Sequence, residues 1–270
     1  MKKLGFIGCG NMGEAMLAGI VTQNTIDPKD IVVSTRTEES GNRLKQIYGI
    51  SLAKSNQEVA ENSEMIFLAT KPMSYPTIST EIKELDLTDK VFISVTPNYT
   101  LPQLRELFGS PAYVVRTMPN TPSQVGLGVT GIAFPDEFPL DKKERILGLF
   151  DSFGVAIEVE DKWMAAVGSL AGSAPAFIYM LIEAMAEEGM HLGMPSHLAY
   201  KTAALAVKGS AEMVLQSDKH VAQLRDEVSS PGGTTIEGII ALEKSGFKGV
   251  WIDALGQTAK KFRELEEKEK

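Results

Sequence analysis

The chain has 270 residues, of which 43% are hydrophobic and 23% charged, a composition typical of a globular protein with one large or two ordinary domains. Its net charge of −8, without a cluster of Lys and Arg, argues against a nucleic-acid surface. We expect no apolar stretch long enough to span a bilayer, and Met1-Lys2-Lys3, followed at once by a strand, does not resemble a signal peptide.

The N-terminus combines a predicted strand, the glycines Gly8, Gly10 and Gly13, and a predicted apolar helix. In a G-x-G-x-x-G turn the first glycine makes the tight turn, the second lets the backbone approach a pyrophosphate, and the third lets the helix pack close to the sheet. Asn11 and Met12 belong to the same site, because the helix start offers free N–H groups to phosphates. The pattern predicts a dinucleotide-binding Rossmann domain; the alternative is a glycine-rich turn without a ligand.

The second predicted strand, residues 31–33, ends in Ser34, Thr35 and Arg36. An NAD site usually has a carboxylate here that binds the ribose hydroxyls, and this chain has none. Arg36 can hold a 2′-phosphate through a charge-assisted fork, so we assign Ser34 and Arg36 to the cofactor site. NADPH is therefore the predicted cofactor, with NADH possible. The other interpretation of Arg36 is a solvated residue at the start of the next helix.

Cys9 is the only cysteine, so no intrachain disulfide can form and a cytoplasmic location fits. We interpret Cys9 as a small side chain that fills the glycine loop rather than as a nucleophile. His191, His197 and His220 lack ligand spacing, so no metal site is predicted.

Apolar runs and helical patterns alternate up to about residue 160. The predicted strands lie at residues 65–69, 91–95, 113–116, 131–134 and 155–159, and the clearest helical patterns at 40–48 and 142–153. Near-continuous apolar strands separated by helices predict a parallel, doubly wound α/β domain over residues 1–160. Ligands in such sheets bind at the carboxyl ends of strands. The candidate loops are Thr70-Lys71-Pro72, Thr96-Pro97-Asn98 and the Thr117–Pro122 segment, in which we assign Pro119 and Asn120 to the cofactor.

From residue 161 onward the strand-like runs disappear. Helical patterns follow at residues 176–191, 196–216, 235–245 and 249 to the end, which predicts an all-α domain over residues 161–270. Its apolar faces exceed what one small bundle can bury, so we expect burial between subunits.

The helical half contains one unusual loop, Val228–Thr235, with a proline, two glycines and several hydroxyls. Its hydroxyls and the free N–H groups of the next helix form a nest for a carboxylate or phosphate. The alternative is a capped turn with Thr234 or Thr235 as N-cap. A second stretch of small residues, Gly168–Ala176, allows close approach of a helix or a nicotinamide ring, or is simple close packing.

The chain resembles the Δ1-pyrroline-5-carboxylate reductases, the last enzymes of proline synthesis. The resemblance rests on four blocks in the family's order: Gly8–Gly13, Arg116–Pro122, Gly172–Ala176 and Ser229–Thr235. It implies an α/β Rossmann domain followed by an all-α dimerisation domain, whose dimers commonly form a ring of ten. It also implies that the substrate is the cyclic imine 1-pyrroline-5-carboxylate, which NADPH reduces to L-proline.

The resemblance also implies residue roles. The substrate carboxylate would be held by the loop residues Ser230, Gly233, Thr234 and Thr235, which in this family face the cofactor of the dimer partner. The dinucleotide would be lined by Asn56, Ala69, Thr70, Lys71, Pro72 and Thr96.

Two residues depart from the family's pattern. Ala174 replaces a usual glycine. Gly168 stands where the family often has a threonine near the substrate imine, so we predict Ser169, or a water molecule, as proton donor.

Two other functions stay open at this point. A β-hydroxyacid dehydrogenase shares the order of domains and relies on a lysine in the helical half, for which Lys201 and Lys208 are candidates. A non-catalytic NADP-binding regulator is the second alternative, and Gly168 is its only support.

Overall fold

The computed structural model describes residues 2–268, so the ends of the two predicted domains, residue 1 and residues 269–270, lie outside it. Within this range the first half of the chain forms one sheet of eight strands, in the order β3-β2-β1-β4-β5-β6-β7-β8. The strands are β1 Lys2–Ile7, β2 Ile31–Ser34, β3 Ser51–Leu52, β4 Ser63–Leu68, β5 Val91–Ser94, β6 Tyr113–Met118, β7 Gly128–Ala133 and β8 Gly154–Glu158.

The predicted parallel sheet is confirmed except at one pair. Strands β6 and β7 are antiparallel, whereas all other neighbours are parallel. The segment from Pro119 to Leu127 that joins them contains only a 3₁₀ turn, Thr121–Val125. It is shorter than the roughly dozen residues that a parallel crossover needs. The two-residue strand β3 was not predicted, because it is too short to show a hydrophobic period.

Helices cover both faces of the sheet. They are α1 Asn11–Thr22, α2 Glu38–Tyr48, α3 Asn56–Asn62, α4 Tyr75–Ile82, α5 Leu101–Phe108, α6 Leu140–Asp151 and α7 Met164–Val167. Successive strand residues point to opposite faces, so Phe67 packs in the core beneath α1, α2 and α6, and Ile66 in the core beneath α3, α4 and α5. Because both faces of the sheet are buried, the strands are continuous apolar runs in the sequence, without alternation of polar and apolar residues.

The strand order reverses between β1 and β4, which is the point where doubly wound sheets bind ligands. Backbone bonds hold three loops together there. The N–H of Gly8 donates to the carbonyl of Ser34 at 3.0 Å, and the N–H of Ala69 donates to the carbonyl of Ile7 at 2.9 Å. The loops after β1, β2 and β4 therefore form one edge.

The chain divides into two compact units. The first contains the residues up to Gly172 and those from Thr258 onward, and the second contains Ser173–Gln257. This division differs from the predicted boundary after residue 160. The difference arises because Met164 packs with Met118 and Ala133 of the sheet, in a cluster that Phe262 also joins.

The second unit is helical, as predicted for this part of the chain. Its helices are α8 Ala174–His191, α9 Ser196–Leu215, α10 Val221–Glu227, α11 Thr234–Lys244 and the first part of α12, which spans Phe247–Lys268. Gly189 of α8 lies against Ala199 of α9, and a Cβ at position 189 would be 3.2 Å from that of Ala199. Trp251 stands edge-on to Phe177 with ring centroids 6.1 Å apart. Helix α10 was not predicted.

The segment Asp161–His191 is, by length and composition, apolar enough to cross a membrane. The expectation that no stretch has this length is therefore wrong. Residues 163–182 carry no charge, but many of them are Gly, Ala or Ser. The segment was therefore not recognised as one long apolar stretch. Large apolar side chains on α8, such as Tyr179 and Met180, are exposed in the single chain. A face of this kind marks either contact with another protein or contact with lipid.

Candidate active site

The glycine loop has one glycine that the fold requires and one that it does not. Gly8 has φ +77°, and a Cβ there would lie 2.5 Å from Cγ2 of Thr70. Gly10 is the N-cap of α1 in an extended conformation, and a Cβ there would meet nothing within 4 Å. The missing side chain at Gly10 thus keeps the space beside the helix N-terminus open, as a bound pyrophosphate requires.

Cys9 lies between these glycines and is half-buried. Burial raises the pKa of its thiol to about 12, and the negative charge of Glu14 acts in the same direction. The thiol is therefore protonated at neutral pH, which agrees with its interpretation as a filler. The carboxylate of Glu14, in the first turn of α1, accepts hydrogen bonds from both Nη groups of Arg43. These hydrogen bonds lower the pKa of Glu14.

The end of β2 carries hydroxyls and a cation, as predicted. Ser34 is buried, and its Oγ donates to Oδ1 of Asn56 at 2.8 Å, so the structure brings these two predicted site residues together. Arg36 is exposed, and within residues 2–268 its guanidinium has no hydrogen-bond or ion-pair partner. The guanidinium of Arg36 therefore fits a 2′-phosphate at this point.

The loop after β4 also fits a dinucleotide. Ala69 and Thr70 pack on the glycine loop, and Oγ1 of Thr70 is buried without a hydrogen-bond partner in the described part of the chain. Lys71 is exposed, and Pro72 begins a 3₁₀ turn. In the loop after β5, the hydroxyl of Thr96 donates to Oδ1 of Asn98 at 3.3 Å.

Asn120, in the loop after β6, links β7 to the segment of small residues that begins at Gly168. Its Oδ1 accepts from the N–H of Val129 at 2.8 Å, and its Nδ2 donates to the carbonyl of Ala171 at 3.0 Å. Ala171 belongs to a π-helix, Gly168–Ser173, within the predicted segment of small residues. π-Helical turns occur frequently at functional sites. Pro119, next to Asn120, is buried as well.

Ser169, the predicted proton donor, lies on this π-helix and is 3% exposed. Its Oγ is 2.7 Å from Oγ1 of Thr258 on α12. The neighbouring Gly168 faces the ring of Phe262, and a Cβ at position 168 would lie 2.7 Å from two ring carbons. Phe262 therefore takes the space into which a threonine at position 168 would project.

We expect Gly168→Ala to destabilise the protein although Gly168 has helical dihedral angles. Helix propensity alone would favour Ala by about 1 kcal/mol, whereas forced overlap in a packed site costs about 1–3 kcal/mol. Gly148→Ala in α6 is the matched control, because a Cβ there meets nothing within 4 Å. Urea unfolding of both variants gives the result, and a Gly168→Ala protein as stable as the control variant would contradict the overlap.

The predicted anion loop leads into α11. This helix begins at Thr234 with Gly233 as N-cap, so the alternative in which Thr234 or Thr235 caps the helix is wrong. Both threonines are exposed, and their hydroxyls make no hydrogen bond within residues 2–268. The N–H of Gly233 donates to the carbonyl of Ser230 at 3.0 Å, which closes the turn. Exposed hydroxyls beside free helical N–H groups can bind a carboxylate.

Other candidates find less support. Lys201 and Lys208 are exposed on α9. The part of the chain that the structure describes contains no group of three His, Cys, Asp or Glu that could hold a metal ion. The buried ion pairs of Arg116, which is 1% exposed on β6, with Asp161 and Glu266 were not predicted. A charged residue inside an apolar strand was the available signal.

Comparisons with known proteins agree with the resemblance. A family model described as pyrroline-5-carboxylate reductase dimerisation matches residues 161–265, and one described as NADP oxidoreductase, coenzyme F420-dependent, matches residues 3–98. The pyrroline-5-carboxylate reductase of Escherichia coli (strain K12) is 39% identical over 264 residues, which are 98% of each chain.

Two solved structures are similar over 98% of both chains. The pyrroline carboxylate reductase of Plasmodium falciparum with NADP bound has a TM-score of 0.89 at 30% identity. The pyrroline-5-carboxylate reductase of Coxiella burnetii has a TM-score of 0.89 at 32% identity. With near-complete coverage at these identities, and with the glycine loop and the Ser229–Thr235 loop in place, this chain belongs to the pyrroline-5-carboxylate reductase family.

Proposed function

We propose that this chain reduces the C=N bond of 1-pyrroline-5-carboxylate to give L-proline, with NADPH as cofactor and NADH as a slower substitute. The observation that carries this proposal is the Ser229–Thr235 loop. It offers the hydroxyls of Thr234 and Thr235 and the first N–H groups of α11 to an anion, without a partner in the described protein. Imine reduction needs no metal and no His–Asp pair when the loop holds the substrate carboxylate and the glycine loop holds the dinucleotide, because the protein then contributes by positioning the two reactants.

We assign each part of the dinucleotide to the loop whose groups fit it. Gly8, Gly10 and Gly13, with Asn11 and Met12, receive the pyrophosphate at the N-terminus of α1. Ser34, Arg36 and Asn56 bind the adenosine end, and the strand-end loops Ala69–Pro72, Thr96 and Pro119–Asn120 line the remainder. When bound, NADPH supplies the hydride that the imine carbon accepts.

The substrate carboxylate binds at Ser230, Gly233, Thr234 and Thr235. We expect Thr235→Ala to raise KM for the imine by about 10- to 100-fold and to leave kcat nearly unchanged, because a hydrogen bond to a charged group contributes about 1.5–3 kcal/mol. Thr22→Ala, an exposed threonine at the end of α1, is the control and should behave as the parent protein. A large loss of kcat at unchanged KM would exclude this role for Thr235.

We assign the proton path to Ser169. The neighbouring hydroxyl of Thr258 at 2.7 Å supports this, because a serine that gives up a proton must be reprotonated by a second group. We expect Ser169→Ala to lower kcat several-fold more at alkaline than at mildly acidic pH, since acid supplies the iminium form of the substrate directly. A pH–rate profile parallel to that of the parent protein would show that water alone delivers the proton.

The family model of residues 161–265 is a dimerisation model, which accounts for the exposed apolar face of α8. We propose dimers that assemble further into a ring of ten chains. Light scattering behind a sizing column measures this directly, since a ring has ten times the mass of the 29.3 kDa chain. We also propose a cytoplasmic location without contact with a membrane, supported by a sequence whose single cysteine cannot form an intrachain disulfide.

The first experiment follows the loss of NADPH absorbance with pyrroline-5-carboxylate as substrate. In one control NADH replaces NADPH, and in another the ring-expanded piperideine carboxylate replaces the substrate. Fast turnover of the five-membered imine with NADPH is the expected result. A folded protein that binds NADPH and turns over no imine would overturn the proposed function and favour a non-catalytic regulator.

A further inference from the structure

A chain of three side chains runs from the predicted cofactor site to the surface of the first unit. Oγ of Ser34, at the end of β2, donates to Oδ1 of Asn56 at 2.8 Å. Nδ2 of Asn56, the first residue of α3, donates to Oε2 of Glu81 on α4 at 2.8 Å. Ser34 is 5% exposed, whereas Glu81 is exposed to solvent.

The direction of these hydrogen bonds is fixed by Glu81. An ionised carboxylate accepts hydrogen bonds and cannot donate them, so Asn56 must turn its amide nitrogen toward Glu81. The amide oxygen of Asn56 then faces Ser34 and takes the only hydroxyl proton of that residue. The second acceptor near this hydroxyl, the carbonyl of Phe6 at 3.5 Å, also lies inside the protein. Toward a ligand, Ser34 can therefore only accept.

In this fold, the residue at the end of the second strand faces the 2′ position of the adenosine ribose. A ribose 2′-hydroxyl can donate to an oxygen that only accepts, whereas a 2′-phosphate offers acceptor oxygens and needs donors. The orientation that Glu81 imposes thus favours NADH at Ser34, while the guanidinium of Arg36 favours NADPH. The hydroxyl of Ser34 and the guanidinium of Arg36 thus act in opposite directions on the ratio of the affinities for NADPH and NADH.

We propose that Glu81 is a specificity-determining residue that acts through Asn56 and Ser34 to restrain the preference for NADPH. This inference rests on the proposed function only in assuming a nicotinamide dinucleotide site. Its test uses dissociation constants, which need neither the imine nor turnover.

The informative variant is Glu81→Gln. A glutamine amide both donates and accepts, so Asn56 is free to turn its nitrogen toward Ser34, and the Ser34 hydroxyl becomes available to a phosphate. We expect the Kd of NADPH, measured by nicotinamide fluorescence, to fall by about tenfold, the equivalent of one charge-assisted hydrogen bond. The Kd of NADH should stay within about twofold of the parent value, because its 2′-hydroxyl can still donate to Ser34.

Loss of the Glu81 charge could by itself favour a phosphate, and the Ser34→Ala background separates the two effects. If Glu81 acts through Ser34, Glu81→Gln changes neither Kd in that background; a charge effect would persist there. Gln57→Ala is the structural control, because Nε2 of Gln57 donates to the backbone carbonyl of Glu81 at 3.0 Å and so also links α3 to α4. It should leave both dissociation constants unchanged.

The possible results lead to distinct conclusions. A tenfold gain for NADPH that disappears in Ser34→Ala supports the inference. An unchanged Kd of NADPH in Glu81→Gln, or an equal gain in both backgrounds, overturns it and leaves the proposed function standing. Binding of neither dinucleotide by the folded parent chain would overturn the cofactor assignment itself, and with it both proposals.

Discussion

Replacing Arg116 by Met is expected to lower the free energy of unfolding by about 2–4 kcal/mol, because it removes the cation of a largely buried ion-pair network. Nη1 of Arg116 donates to Oδ1 of Asp161 at 2.8 Å, and Nη2 donates to Oε1 of Glu266 at 2.6 Å. The side chains of these carboxylates are only 27% and 18% exposed. Without the guanidinium, two negative charges would face each other in a poorly solvated site.

The network joins distant parts of the first unit. Arg116 stands on β6, Asp161 follows β8, and Glu266 lies near the described end of α12. Nη2 also donates to the carbonyl of Pro97 in the loop after β5 at 3.3 Å. The variant should therefore loosen the end of α12 as well as lower overall stability.

Urea unfolding at one fixed protein concentration measures this effect, since self-association makes apparent stability depend on concentration. Arg145→Met is the matched control. It removes an ion pair with Glu64 in which both side chains are considerably more exposed, and it should cost at most about 1 kcal/mol. Equal losses in the two variants would show that the buried network contributes no more than a surface pair.

The second large effect is expected for Gly10→Val, which should weaken NADPH binding about a hundredfold, or ~3 kcal/mol. The side chain would enter the space in which a pyrophosphate approaches the N-terminus of α1. The protein itself should lose no more than about 1 kcal/mol of stability, the cost of a poorer N-cap, because Gly10 is exposed and extended and a Cβ there meets nothing within 4 Å.

Gly8→Val provides the contrast. Gly8 has φ +77° and lies against Thr70, so this variant should lose both stability and NADPH affinity. Calorimetric titration with NADPH and thermal unfolding of the same samples distinguish the two glycines. Retained NADPH affinity in Gly10→Val would place the pyrophosphate elsewhere and overturn the assignment of this loop.

Much of the fold follows from local pattern. The strands β1, β2, β4, β5 and β6 were predicted within a few residues because each is a continuous apolar run, and the long helices α8, α9 and α11 because each is long enough to show its hydrophobic period. The short elements β3 and α10 were not predicted, since a few residues carry no period. The antiparallel direction of β7 also escaped prediction, because it depends on the length of one connection.

The candidate site divides in the same way. The glycine loop, the end of β2 and the Ser229–Thr235 loop were identified as candidates from the sequence, because each is a contiguous segment whose residue types indicate a chemistry. The alternative interpretation of the last loop, a turn with Thr234 or Thr235 as N-cap, was wrong because Gly233 is the N-cap of α11. Helix ends are set by hydrogen bonds that composition does not show.

The sequence by itself determined the class of this protein and marked the segments that we propose as its ligand sites, because glycine turns, hydroxyls at helix starts and hydrophobic periods act between near neighbours in the chain. Only the tertiary structure decided that Arg116 faces Asp161 and Glu266, that Phe262 fills the space at Gly168, and that Glu81 orients Asn56 toward Ser34. These contacts join residues that are far apart in the chain. The order of the strands and the packing of the helices bring them together, and no local pattern encodes that proximity.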